Sequence, residues 1–177
     1  MKKLFVMLML VLACGITAQA QNKWTIKAGI GASKFSDDDT DATFHFKIGA
    51  GYELRVNNLI GIEPNAFLVS KGISFDNWDG SDDDSWSPLY LEIPVMCNFH
   101  LSEHWVLGAG PYVGLMLSDD DWEAAKSTDY GLKIGAKYVF DSGINLGIDS
   151  TLGLTEAIKR YDDSQNITFA FCIGYSF

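Results

Sequence analysis

The stretch Ile167-Thr168-Phe169-Ala170-Phe171-Cys172-Ile173-Gly174-Tyr175-Ser176-Phe177 alternates without a break. Successive side chains of an extended strand point to opposite faces. Ile167, Phe169, Phe171, Ile173, Tyr175 and Phe177 therefore share one face, and Thr168, Ala170, Cys172, Gly174 and Ser176 the other. Six large apolar groups backed by small or polar ones suit a strand held between lipid and a polar interior. The last strand of a soluble sandwich can show the same alternation, so the rest of the chain has to decide.

Working back from this tail, the same period of two marks eight segments: 23–35, 43–56, 59–73, 89–101, 105–117, 130–140, 144–155 and 166–177. In the second, Phe44, Phe46, Ile48, Ala50, Tyr52 and Leu54 stand against His45, Lys47, Gly49, Gly51, Glu53 and Arg55. Long and short connections alternate strictly: 36–42, 74–88, 118–129 and 156–165 are long, whereas 57–58, 102–104 and 141–143 are short. Even strand number, short turns at one rim and long loops at the other are the plan of a bacterial transmembrane barrel. Aromatics in the apolar phase gather at strand ends, with Trp24, Phe99, Trp105, Tyr138, Phe140 and Phe177 toward the short-turn rim and Phe44 and Tyr130 toward the other. Interfacial girdles explain that placement, and a soluble core does not. The sequence thus predicts an all-β fold, an eight-stranded antiparallel up-and-down transmembrane β-barrel. Pro64, Pro94 and Pro111 fall inside strands and lack the ladder donor, so bulges or local widening are expected there. A bulge at Pro64 would switch the phase and leave the faces of Phe67 and Val69 open.

Residues 1–20 read as a secretory signal: Lys2 and Lys3, an apolar run from Leu4 to Ala13, and Ala18-Gln19-Ala20 as the cleavage site. The expected domain organisation is a signal peptide over 1–20 and an outer-membrane barrel domain over 21–177. Val11-Leu12-Ala13 before Cys14 also permits a lipoprotein signal, although Leu12 fits it awkwardly and Ala-Gln-Ala offers the better site. The apolar run is about half of the roughly 20 residues a membrane helix needs, so a membrane reading requires strands. Removing the signal leaves 11 of the 13 basic residues against 23 acidic ones, which argues against nucleic acid as a partner. Cys97 and Cys172 fall on opposite faces of non-adjacent strands, and no disulfide is expected.

The polar phase collects Lys27, Lys47, Arg55, Lys133 and Lys137 with Glu53, Glu63, Glu92 and Asp149, accompanied by His45, His100, Asn65, Asn98, Tyr90 and Tyr112. Eight strands enclose a space that side chains just fill. The expectation is therefore a structural lumen network of Lys27, His45, Lys47, Glu53, Arg55, Glu63, Glu92, His100, Lys133, Lys137 and Asp149, its charges offsetting one another. A narrow polar conduit or a proton-linked site around His45 and Glu53 is the rival. The long loops hold 17 of the 23 acidic residues, Asp76, Asp79 and Asp82 around Gly80 among them. Clustered carboxylates attract hard cations, but the ordered spacing and closing Glu of a Ca²⁺ loop are missing; no metal site or cofactor is assigned. For catalysis, His45 below Asp41 is the one candidate base, and no G-x-S-x-G motif, metal-spaced His pair or reactive Cys accompanies it. The expectation is a non-enzymatic protein.

Four further stretches resemble a known family. Tyr90-Leu91-Glu92-Ile93-Pro94-Val95, Gly108-Ala109-Gly110-Pro111-Tyr112-Val113-Gly114 and Asp129-Tyr130-Gly131-Leu132-Lys133-Ile134-Gly135 are similar to segments of the PorT-type outer-membrane β-barrel proteins, as is the stretch from Glu63-Pro64 to Ser70-Lys71-Gly72. The resemblance spans nearly the whole chain after the signal. It implies a barrel in a Gram-negative outer membrane and makes the strand prolines family features. It also implies, for one member, an association with protein secretion to the cell surface. No catalytic residues carry over. Expected partners are outer-membrane lipid, barrel-assembly machinery, and envelope or secretion proteins. The alternative is a periplasmic, lipocalin-like carrier of small ligands, which should have an apolar interior and a polar exterior. Ile173, Tyr175 and Phe177 resemble the terminal signal by which assembly machinery recognises barrels. Deleting Tyr175, Ser176 and Phe177 is accordingly expected to block membrane insertion more than it disturbs any binding surface. Normal insertion of the truncated chain, read from the migration of unheated membrane fractions on gels, would overturn this.

Overall fold

The computed structural model describes residues 22–35, 40–71, 73–75, 84–86, 88–117, 128–156 and 165–177. Alternating apolar and polar residues carry the chain through eight long strands: β1 (Lys23–Phe35), β2 (Thr43–Arg55), β3 (Ile60–Ser70), β4 (Leu89–His100), β5 (Trp105–Met116), β6 (Thr128–Val139), β7 (Ile144–Glu156) and β8 (Gln165–Ser176). Each pairs antiparallel with its neighbours in sequence, and β1 pairs with β8, so the sheet closes on itself. The seam runs from Phe35 opposite Asn166 to Thr25 opposite Ser176 and is tied off by reciprocal backbone bonds between Trp24 and Phe177, 3.1 and 2.9 Å long. Three short strands, Thr40–Asp41, Ile73–Phe75 and Asp84–Trp86, form a separate small sheet. The third predicted segment therefore ends at Ser70, and residues 73–75 belong to that sheet.

The faces are inverted relative to a soluble protein. Among the described residues, 33 large hydrophobic side chains are exposed, including Ile26, Ile48, Leu132, Ile173 and Phe171, whereas only seven hydrophobic residues are buried. An apolar surface of this extent needs lipid or a partner to cover it, and the polar interior excludes a carrier with an apolar cavity. The outer face also carries its aromatics in two belts. Phe44 and Tyr52 lie eight residues apart on β2, as do Tyr130 and Tyr138 on β6. At roughly 3.4 Å per residue and a tilt of roughly 40°, that separation is about 21 Å along the membrane normal, near the roughly 25 Å apolar band of such barrels. At the short-turn belt, Trp105 and Tyr138 meet edge to face at 5.2 Å, Tyr138 and Phe140 at 4.8 Å, and Trp24 lies 4.8 Å from Tyr52.

At the prolines the structure takes the local widening, and not the bulge, of the two expected outcomes. No register shift occurs at Pro64, Pro94 or Pro111; instead, pairing lapses on the side of the missing donor and then resumes in register. Between β2 and β3 the ladder skips from Gly51–Asn65 to Leu54–Ile62, between β3 and β4 from Pro64–Val95 to Phe67–Glu92, and between β4 and β5 from Pro94–Tyr112 to Cys97–Ala109. Widening without an inserted residue preserves the phase, so Phe67 and Val69 point inward and are buried. The irregularity in register lies between β7 and β8, at Leu152 and Glu156. Cys97 and Cys172 are free thiols, the first in the outward phase of β4 and the second in the inward phase of β8.

Local side chains cap the short turns. Asn57 Oδ1 accepts from the amides of Leu59 and Ile60 at 2.8 and 2.7 Å, and Ser102 Oγ accepts from those of His104 and Trp105 at 3.3 and 3.1 Å. Gly143 adopts φ of 86°, and a Cβ there would also stand 2.6 Å from the Ser176 carbonyl oxygen. Gly143→Ala should therefore destabilise the folded barrel by about 1–2 kcal/mol, the cost of a left-handed backbone for a residue with a side chain. Urea unfolding in vesicles checks this; an unchanged midpoint would contradict it.

Candidate functional site: the ion-paired lumen

Inward-pointing residues of all eight strands converge on a core that is polar rather than oily. In its lower half, toward the short turns, Glu63 of β3 is the hub. It accepts from Lys27 of β1, from Lys137 of β6 at 3.0 Å and from the Asn98 amide of β4 at 2.6 Å. Lys27 also donates to Asn65 Oδ1 at 3.0 Å, and the Asn65 amide donates to the Glu63 carbonyl at 2.8 Å. Nearer the rim, Glu53 contacts His100, with Lys137 at 3.5 Å and Arg55 at 3.6 Å. Lys137 thus ties Glu53 to Glu63.

The upper half repeats the logic with different strands. Glu92 of β4 lies 2.6 Å from Lys133 and 3.1 Å from Lys71. Asp149 of β7 pairs with Lys47 of β2 and lies 3.7 Å from Lys133. The Cys172 thiol donates to the same carboxylate at 3.3 Å. Between the halves sits the Phe67 ring, with Lys47 and Lys133 each 5.5 Å from its centroid and Lys27 at 6.0 Å. An aromatic face is one of the few apolar surfaces that attracts ammonium groups, which accounts for a phenylalanine among lysines.

Two members of this network were not singled out from the sequence. Lys71, just past β3, donates to Asp129 at 2.7 Å and stands over the rings of Tyr112 and Tyr90 at 4.6 and 5.4 Å. Tyr112 donates its hydroxyl to Asp129 at 3.0 Å. The Lys71 amide bonds the Pro88 carbonyl at 3.1 Å, so this residue clasps the ends of the second long connection to the base of the third. The signal was present: Lys71 continues the odd-numbered inward series Glu63, Asn65, Phe67, Val69, and Asp129 precedes outward Tyr130. Doubt about the phase beyond Pro64 hid the first, and placing Asp129 in a loop hid the second.

The other sequence candidates fall as follows. His45 is 1% exposed, and its Nδ1 lies 2.6 Å from the Ser70 carbonyl oxygen, so it holds a proton for a backbone bond. His45 and Glu53 are not brought together; each belongs to a different half of the lumen. The side chain of Asp41, most loop carboxylates including Asp76, Asp79 and Asp82, the loop tryptophans Trp78 and Trp122, and residues 1–20 lie outside the described residues. Among the described residues, open spaces remain inside. One of about 70 Å³ adjoins Phe67, Met96 and Lys133, and a larger vestibule of about 400 Å³ opens at the short-turn rim. At the upper level, by contrast, the side chains of Lys47, Lys71 and Glu92 are each only 1% exposed.

Comparisons with other proteins agree with this architecture. The outer membrane enzyme PagL superposes with a TM-score of 0.58 at 11% identity, over 85% of this chain and 98% of its own. Neisserial surface protein A gives 0.56 at 11% identity, over 87% and 97%. Ail, the attachment invasion locus protein of Yersinia pestis, crystallised with the heparin analogue sucrose octasulfate, gives 0.53 at 18% identity, over 89% and 100%. At these identities the likeness speaks to fold alone, and one neighbour being an enzyme means that the fold leaves catalysis undecided. No curated protein sequence matches the chain. The family model of the outer membrane protein beta-barrel domain matches residues 6–177. With that match over nearly the whole chain, an apolar belt outside and a charged core within, the chain belongs to the outer membrane protein β-barrel domain family and resides in the outer membrane.

Proposed function

We propose that the protein is a non-enzymatic outer-membrane barrel of the PorT type, a rigid, filled platform whose acidic long loops present a binding surface to envelope or secretion proteins. The observation that carries this reading is the mutual engagement of the buried charges. Glu53, Glu63, Glu92, Asp129 and Asp149 each hold at least one cationic partner, and Lys133 and Lys137 each bridge two carboxylates. Groups so engaged stabilise one geometry; a conduit or an active site needs polar groups free to meet water or substrate. Burial of His45 against Ser70 supports the absence of a surface hydrolase. Ail, named for attachment, and a Neisserial surface protein share the fold, which favours a surface role. In the same reading residues 1–20 are a cleaved signal, 21–177 form the barrel domain, and lipid-facing Ile173, Tyr175 and Phe177 serve recognition by the assembly machinery.

Crosslinking of the detergent-solubilised protein through residues of its long loops should capture an envelope protein at that rim. Recovery of the barrel alone from native membranes would count against the surface role. Glu92→Gln, which takes a charge from between Lys71 and Lys133, should cost about 3 kcal/mol, as expected when one partner of a buried ion pair is lost. Exposed Glu103→Gln should stay within about 0.5 kcal/mol of the parent. Equal unfolding midpoints for the two variants would argue against a structural network. Replacing His45 by Gln should leave the loop crosslinks intact; loss of a lipid- or peptide-hydrolysing activity would instead reveal an enzyme.

A further inference from the structure

The vestibule at the short-turn rim differs from the rest of the lumen in having more donors than acceptors. Its walls include Lys23, Arg55, His100 and Lys137, with Glu53 and Glu103 as carboxylates. Glu53 is fully engaged: one oxygen faces His100 and Arg55, the other Lys137. Lys23 stands directly across the ladder from Glu53, yet makes no ion pair among the described residues. Arg55 reaches Glu53 and the Asn58 carbonyl through its terminal nitrogens, while its Nε has no partner. Glu103 is exposed on the turn. Cations are therefore left over at this mouth of an otherwise acidic chain.

We propose that this vestibule binds a small, soluble organic anion, carboxylate- or phosphate-bearing, that enters from the periplasm. Its volume of about 400 Å³ falls within the roughly 300–1,000 Å³ of small-molecule pockets. Val106 and Val139 add an apolar wall beside the ammonium and guanidinium groups, the usual composition of such a site. Lys23 and Arg55 supply charge-assisted hydrogen bonds to an oxyanion, the strong class of polar contact. Short turns mark the periplasmic rim, so the ligand comes from that compartment. The acidic loops do not oppose entry: they lie at the far end of strands about 40 Å long, several times the roughly 8 Å screening length at physiological salt.

The test uses the full barrel in zwitterionic detergent at constant ionic strength, titrated calorimetrically with citrate and, separately, with inorganic phosphate. Saturable binding of either is expected, weakened by at least about tenfold in the double variant Lys23→Gln, Arg55→Gln. Lys34→Gln, an exposed residue toward the opposite rim, should bind as the parent does. Comparison of unheated and heated gel migration verifies that each variant is folded. No saturable binding of either anion, or equal affinity in the double variant, would overturn the proposal. So would binding that arises only in nanodiscs containing an anionic phospholipid, because the site would then be reading lipid headgroups and not a soluble ligand.

Discussion

A backbone amide or carbonyl without a partner costs several kcal/mol in hydrocarbon, so a sheet can cross a membrane only if it has no edge. The seam between β1 and β8 is thus the contact on which the rest depends. Eleven residue pairs from Thr25–Ser176 to Phe35–Asn166 close it, with the Trp24–Phe177 bonds at its end. Once closed, the sheet has an outside that must be apolar and an inside that eight strands make narrow. Alternation, which in a soluble protein separates core from water, here separates lipid from ion pairs.

That inversion transfers the packing problem from hydrocarbon to charge. A soluble core can fill a misfit with a methylene; this lumen has to fill it while satisfying every ammonium and carboxylate it buries. Sharing is the solution adopted. Lys133 serves Glu92 and Asp149, Lys137 serves Glu53 and Glu63, and Phe67 offers an aromatic face to the ammonium groups of Lys27, Lys47 and Lys133. Such a network gives little net stability over an apolar core, but it penalises alternatives heavily, because any shift of register would strand a charge. Charge pairing therefore complements the alternating pattern in fixing strand register.

Much of this was legible in the residues, and the parts that were not have physical causes. Strand number, order, face and connection lengths follow from a period of two and from turn chemistry, both local properties. Which lysine meets which carboxylate depends on barrel stagger and on side-chain reach across the lumen. Lys27 of β1 meeting Glu63 of β3, or Lys47 of β2 meeting Asp149 of β7, leaves no trace in local sequence. Proline left two outcomes open for a related reason. The sequence shows that a donor is missing but not whether the ladder answers by inserting a residue or by parting and rejoining. Here it parts, at Gly51–Leu54 and twice more, and the phase survives. With the phase intact, Lys71 is an inward residue like Glu63 and Phe67 before it.

The placement of Lys71 also gives the barrel a direction. Its ammonium is held by Glu92 and Asp129 and enclosed by two tyrosine rings, and all these groups sit where the chain leaves the sheet for the long connections. Lys71, Glu92 and Tyr112 are buried at this end, so the residues that fill this level of the lumen also fix the roots of the loops. At the opposite mouth the short turns need no such anchor, because Asn57, Ser102 and Gly143 hold them locally. Nothing there demands that the last layer of charge be closed, and the lumen widens into the vestibule bounded by Lys23, Arg55 and Lys137. A lumen filled with ion pairs where the loops are rooted and wider where the turns are self-sufficient follows from that difference in how the two rims are held.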